Sequence, residues 1–393
     1  MGVAMFLMHM TIGMWLPSLP NILKAYDARW AVAYVFIFTQ VMGILSSLLF
    51  ATLSDRKIGA QKLFGYLSFI AGGFQWLAFS SLEWNWYPSW FLFFQSCSAL
   101  AAAPMIPLIT KIKLANLSNP EKSFPLYSLC GTVGWLSAGL IVSGLGLDTS
   151  ATTGRISAGI YALLGFVSFL LPSTPPEDVT SRGWKAALGL EAFSLMKNRE
   201  LRVIYLASML IWISYTSFFM FAPEMLISFG SQYPAAQMTL GQATEIVAML
   251  SLSILAGRYR IQSLMILSML MGLARFMLLA LSGATGLLPI IWLGIALHGP
   301  IYVFMNISGR IFIDRNTPPG LRGQAQALHS LLTINLAGIL GSLFCEQVYR
   351  HTVLVSPESW SELWGVMAVF ALIPLAYFFF GSIRDKKPAA NTG

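Results

Sequence analysis

The stretch R-Y-R-I-Q-S-L-M-I-L-S-M-L-M-G-L-A-R-F-M-L-L-A-L, Arg258 to Leu281, decides the fold class. Past Arg260 its only charge is Arg275, and every other residue is apolar, small or neutral. As a helix, positions 261–281 rise about 31 Å at about 1.5 Å per residue. That matches the roughly 30 Å hydrocarbon core of a bilayer. The two arginines at one end suit a cytoplasmic boundary. The same unit recurs along the chain, with apolar runs near 3–23, 31–53, 63–82, 88–110, 124–147, 156–172, 203–222, 239–257, 261–281, 286–309, 321–345 and 361–381. The reading is an all-α membrane protein with twelve transmembrane helices.

Composition excludes the alternatives. Of 393 residues, 56% are hydrophobic and 10% charged, and the mean hydropathy is +0.69. A soluble domain carries about 25% charged residues, so too little polar side chain is available to cover a globule in water. The net charge of +8 does not signal nucleic-acid binding, because the basic residues lie in short clusters between apolar runs. Cys97, Cys130 and Cys345 are odd in number, lack C-x-x-C spacing and sit inside apolar runs, so they read as packing residues. His9, His329 and His351 form no cluster, and no metal, cofactor or nucleophile motif is present, which argues against an enzyme. The first run starts almost at Met1 without a basic lead-in, so it reads as a spanning helix rather than a signal peptide, with the true start expected upstream.

The basic residues set the orientation. With the N-terminus inside, nineteen of the 24 Lys and Arg fall on cytoplasmic connections, Arg310 among them; Lys24, Arg29, Arg155 and Arg350 fall outside, and Arg275 lies mid-run. This asymmetry supports an even helix number with both termini cytoplasmic, in the cell inner membrane. The longest connection begins S-T-P-P-E-D at Ser173 and runs through Trp184, Leu188, Phe193 and Leu195. Its second part reads either as an amphipathic helix on the membrane surface or as a plain linker. It divides the chain into six helices at 1–172, a cytoplasmic linker at 173–201 and six helices at 202–393. The fourth run is expected to break at Pro104 and Pro107.

Polar groups inside the membrane mark function, since a mid-bilayer charge costs roughly 2.5–3.5 kcal/mol. Glu245 lies in T-L-G-Q-A-T-E-I-V-A-M-L, with Gln242 one turn earlier on the same face. Arg275 is expected to pair with Glu245, to snorkel, or to serve structure. Glu224 and Glu346, at helix ends, read as interfacial. The fifth run carries Ser128, Thr132 and Trp135 on one face, with Gly131 and Gly134 permitting close helix approach. The seventh adds Trp212, Thr216 and Phe219, and the tenth His298, Tyr302 and Asn306. Together these stripes outline a central cavity with aromatic faces and polar edges, suited to a small, flat, uncharged solute.

The six-plus-six plan resembles the major facilitator superfamily, and A-T-L-S-D-R-K-I-G from Ala51 resembles its G-x-x-x-D-R-x-G loop, in which Asp55 would hold one gate state. Within it, F-P-L-Y-S-L-C-G-T-V-G-W (Phe124–Trp135) resembles the F-P-x-x-R-x-x-G-T-x-G-[FW] segment of the nucleoside:proton symporters. L-G-L-E-A-F-S-L-M-K-N-R (Leu188–Arg199) resembles that family's central loop, and N-I-S-G-R-I-F-I-D-R-N-T-P-P-G-L-R-G-Q-A-Q (Asn306–Gln326) its connection between helices 10 and 11.

This resemblance implies a major facilitator fold of two six-helix bundles and a monomer that takes up a nucleoside with protons by alternating access. It implies that Thr132 and Trp135 contact the nucleoside, with Trp135 stacking on a ring, that Gln242 and Glu245 grip ribose hydroxyls or base edges, and that Tyr302 stands at an aromatic position. Ser128, Thr216, Phe219, His298 and Asn306 complete the expected solute site, and Glu245 and His298 are the expected proton carriers. The chain departs from the family pattern at Ser128, where the family has Arg, and at Val303, where it has an acid; Thr216 and Phe219 replace Gln and Asn, and His298 replaces Tyr. These departures keep open a facilitator for another polar solute, such as a sugar, without proton coupling.

Overall fold

The computed structural model describes the backbone of residues 1–56, 58–116, 120–176, 185 and 188–383. The Asp55 side chain, on which the expected gate contact depends, and Trp184 of the expected surface helix lie outside the described residues. Nine helical segments among the described residues are long and apolar enough to cross a membrane. They are α1 (Gly2–Ala25), α3 (Ala60–Glu83), α4 (Pro88–Asn116), α5 (Pro120–Gly144), α7 (Arg199–Ser228), α9 (Ile261–Thr285), α10 (Leu288–Arg315), α11 (Pro319–His351) and α12 (Trp360–Ile383). With α2 (Ala31–Arg56), α6 (Thr152–Ser168) and α8 (Leu240–Arg258) they fill the twelve positions read from the apolar runs.

Local chemistry explains the irregularities. Pro17 and Pro20 split α1 into Gly2–Gly13, a 3₁₀ turn at Leu16–Ser18 and Leu19–Ala25. Pro104 divides α4 into Pro88–Ala102 and Met105–Asn116, as expected, whereas Pro107 makes no second break because it falls in the first turn of the second helix, where a missing N–H is tolerated. In α10 the chain breaks after Ala296, resumes at His298–Tyr302, widens into a π segment at Val303–Ile307 and continues as Ser308–Arg315. A second π segment, Leu331–Leu336, interrupts α11. Such wide turns occur often at functional sites.

The helices form two bundles, α1–α6 and α7–α12. In the first, α1 packs on α5 and α3 on α6; in the second, α9 packs on α12 and α7 on α11. Within a bilayer this packing rests on close van der Waals contact, which small residues permit. A Cβ on Gly134 of α5 would run into the Phe6 carbonyl of α1. A Cβ on Gly299 of α10 would run into the Glu245 backbone of α8. These two glycines therefore set helix spacing beside the polar stripes.

The apolar core is divided unevenly. At the end holding the α1–α2, α7–α8 and α11–α12 connections, termed the outer end, one cluster joins both bundles, from Leu19, Ile22 and Val32 to Phe221, Met225 and Trp364. At the other, inner end, each bundle keeps its own: Phe64, Leu108 and Ile112 in the first, and Tyr205, Met265 and Phe378 in the second. Within the linker, Leu190–Lys197 is a 3₁₀ helix docked on α11, where the Gln324 amide donates to Glu191 at 2.6 Å and Ala192 is fully buried.

Candidate functional site

Midway along the bundle interface, α5 faces α8. The Thr132 hydroxyl donates to Glu245 Oε1 at 3.4 Å, joining the two bundles. Glu245 is half-buried and faces α5 through that bond, and no ion pair holds it among the described residues. One turn earlier, buried Gln242 leaves its Oε1 without a partner.

Aromatic rings line the same cleft. Trp135 of α5 meets Phe219 of α7, with centroids 6.1 Å apart. Phe219 in turn lies edge-on to His298 of α10 at 5.4 Å. The His298 ring is parallel to Tyr302 at 6.3 Å and stacks on Phe218 at 5.0 Å. Trp212 abuts Tyr302 at 6.0 Å and leaves its indole N–H unbonded. Buried polar atoms are normally bonded. The free Gln242 acceptor and the free Trp212 donor are thus available to a flat, polar solute between the rings.

The remaining expected residues take lesser positions. Ser128 is half-buried on the α5 face. Thr216 spends its hydroxyl on the Trp212 carbonyl at 3.1 Å, inside α7. Asn306 accepts from Arg310 Nε at 3.2 Å. Val303, at the position where the resembled family has an acid, is fully buried in an apolar cluster with Ala248, Leu252 and Leu264.

Three residues escaped the sequence reading. Tyr215 places its hydroxyl 2.8 Å from His298 Nδ1 and 3.2 Å from Nε2. Arg310, expected on a cytoplasmic connection, instead lies within α10, bonded to Gln326 at 3.3 Å and Ser330 at 3.0 Å of α11. Its spacing of four from Asn306 continues the α10 stripe and was the available signal. Glu224, expected at the interface, is only 1% exposed. It accepts from Lys24 at 2.9 Å, Arg29 at 2.8 Å and the Tyr349 hydroxyl at 2.8 Å. Arg275 corrects two expectations: it is wholly buried, so it does not snorkel, and it makes no ion pair with Glu245.

Glu224 centres an outer seal between the bundles. Arg29 also approaches Glu346 at 3.5 Å and lies over the Tyr349 ring at 4.0 Å. Burial works against the Arg29 charge, but Glu224, Tyr349 and Glu346 outweigh it and bind its proton more tightly than usual. The Asn21 amide donates to the Pro223 carbonyl at 3.0 Å. Beside them, Asp148 of the α5–α6 connection accepts from the Ala235 backbone N–H at 2.8 Å, and Ser143 from that of Ala236 at 2.9 Å. Burial raises the Asp148 carboxyl above its ordinary value, against the lowering by its bonds from Ala235 and Ser143.

The arrangement has the chemistry to bind a solute at mid-depth and to seal one end of its path. The family described as "Nucleoside H+ symporter" matches residues 1–387. The putative nucleoside transporter YegT of Escherichia coli (strain K12) is 29% identical over 395 residues, spanning 96% of this chain and 91% of that protein. The xanthosine permease of the same organism is 26% identical over 407 residues, spanning 98% and 96%. Crystal structures of the nucleoside transporter NupG share the fold at 22% identity: a mutant at TM-score 0.87, covering 97% of this chain and 98% of that one, and a second crystal structure at 0.83, covering 97% of each. The chain belongs to the nucleoside H+ symporter family and is a multi-pass membrane transporter rather than an enzyme.

Proposed function

We propose that this chain is a secondary transporter that carries a nucleoside and a proton inward together by alternating access. The observation that carries the reading is the Thr132–Glu245 contact, which sets an embedded acid between two bundles beside a chain of aromatic rings from Trp135 to Tyr302. In this reading the base stacks on the open face of Trp135, with Phe219, His298 and Tyr302 forming the far wall. Gln242 and Glu245 take ribose hydroxyls, and Ser128, Thr216 and Asn306 line the edges. Glu245 carries the proton, and His298 is the second carrier. Residues 1–172 and 202–393 rock about this site, joined by the linker at 173–201. The protein works as a monomer in the cell inner membrane, with lipid around it, both termini in the cytoplasm and no nucleic acid or metal involved.

The test is uptake of radiolabelled uridine, adenosine and xanthosine into proteoliposomes, with and without an inward proton gradient. Saturable, gradient-stimulated uptake of at least one is expected; no saturable uptake from folded protein rejects the reading. Glu245→Gln should reduce gradient-driven accumulation at least about tenfold while nucleoside exchange persists. Unchanged accumulation would remove Glu245 from the proton path. A second reading, a facilitator for another polar solute, is favoured by one observation: Val303 is sealed in a dry cluster. A thermal-shift screen over nucleosides, bases and sugars separates the two.

A further inference from the structure

His329 of α11 is 0% exposed, and neither of its ring nitrogens has a hydrogen-bond partner among the described residues. The Tyr205 ring of α7 lies 6.3 Å away between centroids, but its hydroxyl is spent on the Ala325 carbonyl at 3.1 Å. Ser208 of α7 is 1% exposed, and its hydroxyl is also without a partner. A helical serine can turn back to a carbonyl of the preceding turn, and this one does not. Buried polar atoms left unbonded are costly and call for an explanation.

The two orphaned groups converge on one place, beside Gly309 of α10. A Cβ on Gly309 would have three nearest neighbours outside its own stretch of helix: His329 Nε2 at 3.7 Å, Met265 Cε of α9 at 3.7 Å and Ser208 Oγ at 3.8 Å. The glycine therefore leaves a space open, and two of the three atoms around it are polar and unspent. We propose that this space is a binding site for one ordered water molecule, which bonds His329 Nε2 and Ser208 Oγ and so ties α11 to α7 across α10. A buried space edged by unbonded polar groups takes up water, whereas an apolar one stays dry. Water both donates and accepts, so it suits either neutral tautomer of the imidazole. Those three side chains bring no carboxylate, which fits a neutral occupant rather than a cation. The site shares no residue with the solute cleft. It adjoins the second bundle's own inner cluster, to which Met265 belongs, so it stands whether or not nucleosides are carried. A bonded cross-tie there lets α7, α10 and α11 move as one body when the bundles rock.

The experiment is thermal unfolding of Gly309→Ala, and its sign decides. In an empty space the new methyl would make ordinary contacts at 3.7–3.8 Å and replace a glycine inside a helix, so the unfolding temperature would rise. Where the methyl displaces a bonded water, it strands two buried polar atoms, and the temperature should fall by about 2 °C or more. In the Ser208→Ala/His329→Leu background the space is apolar, and adding Gly309→Ala should raise the temperature instead. A crystal structure of the unaltered protein at about 2 Å resolution should show a water peak about 2.7–3.2 Å from both His329 Nε2 and Ser208 Oγ. That peak decides the matter if Gly309→Ala does not fold. A Gly309→Ala variant at least as stable as the unaltered protein, an equal loss of stability in the apolar background, or no peak between the two atoms would each overturn the proposal.

Discussion

The outer and inner halves of the bundle interface are built from different materials. The outer half is one apolar cluster shared by both bundles and riveted by charge: Lys24 and Arg29 from the first bundle meet Glu224 and Glu346 from the second. In the inner half, among the described residues, each bundle keeps its own core; the first bundle's cluster takes in one residue of the second, Ala235, and only at the outer α7–α8 connection. The cross-bundle hydrogen bonds between described residues stop at mid-depth, at Thr132–Glu245 and at Asn335, which donates to the Gln40 carbonyl at 3.0 Å. One end of the path is therefore closed by interactions that must all break together. A transporter caught with its outer door shut should show this asymmetry.

The comparison breaks most readily at Glu224. Its removal leaves Arg29 buried without its main partner, and breaking a buried pair by removing one member costs roughly 3–5 kcal/mol. Glu224→Gln should therefore shift the balance between outer-closed and outer-open forms on the order of a hundredfold. Spin labels at Leu145 and Leu354, both exposed at the outer end, report the change as a longer distance by electron–electron resonance. An unchanged distance distribution would mean that apolar packing alone shuts the door.

At mid-depth the expected effect is smaller and falls on solute rather than conformation. Base-on-aromatic stacking is worth about 1–3 kcal/mol per base by alanine substitution. Trp135→Ala should thus weaken nucleoside binding about tenfold or more, read by isothermal titration or by competition against labelled uridine. The outer-end label distance should stay as in the unaltered protein. If both readouts move together, the ring pair Trp135–Phe219 belongs to the seal and not to the site.

These two regions also differ in how far the sequence foretold them. The twelve spans follow from apolar run length and from the basic residues between runs, both local properties. The stripes on α5, α8 and α10 were legible for the same reason, because helical spacing puts Thr132 near Trp135 and Gln242 near Glu245 on one face. The seal was not. Glu224 meets partners 195 and 200 residues away, and no periodicity connects Pro223-Glu224 to Arg29. Read alone, an acid near a helix end is an interfacial group; only the fold buries it. Arg310 misled in the opposite direction: its charge suggested a connection, whereas Gln326 and Ser330 on α11 let it remain inside. Tyr215 sits one position before Thr216, off the face that the stripe marked, and reaches His298 only because α7 and α10 touch.

The finest distinction concerns the second contact of the seal. Asp148 is 5% exposed, and its Oδ2 has no partner, while Oδ1 accepts from Ser143 and Ala235. Burial dominates, so the folded carboxyl holds its proton to a higher pH than the ordinary 3.8. The sign follows: the packed form binds this proton more tightly than the unfolded chain does, so Asp148 favours packing most at low pH. That contribution declines as pH rises from 3.8 through the raised value, and above it the ionised group is a net burden. Asp148→Asn keeps an acceptor for Ala235 but cannot titrate. Across that window the unfolding temperature of the unaltered protein should fall relative to the variant, by a small amount that ends above the raised value. A difference that stays level with pH would mean that the two hydrogen bonds cancel the effect of burial, and one of the opposite sign that they outweigh it.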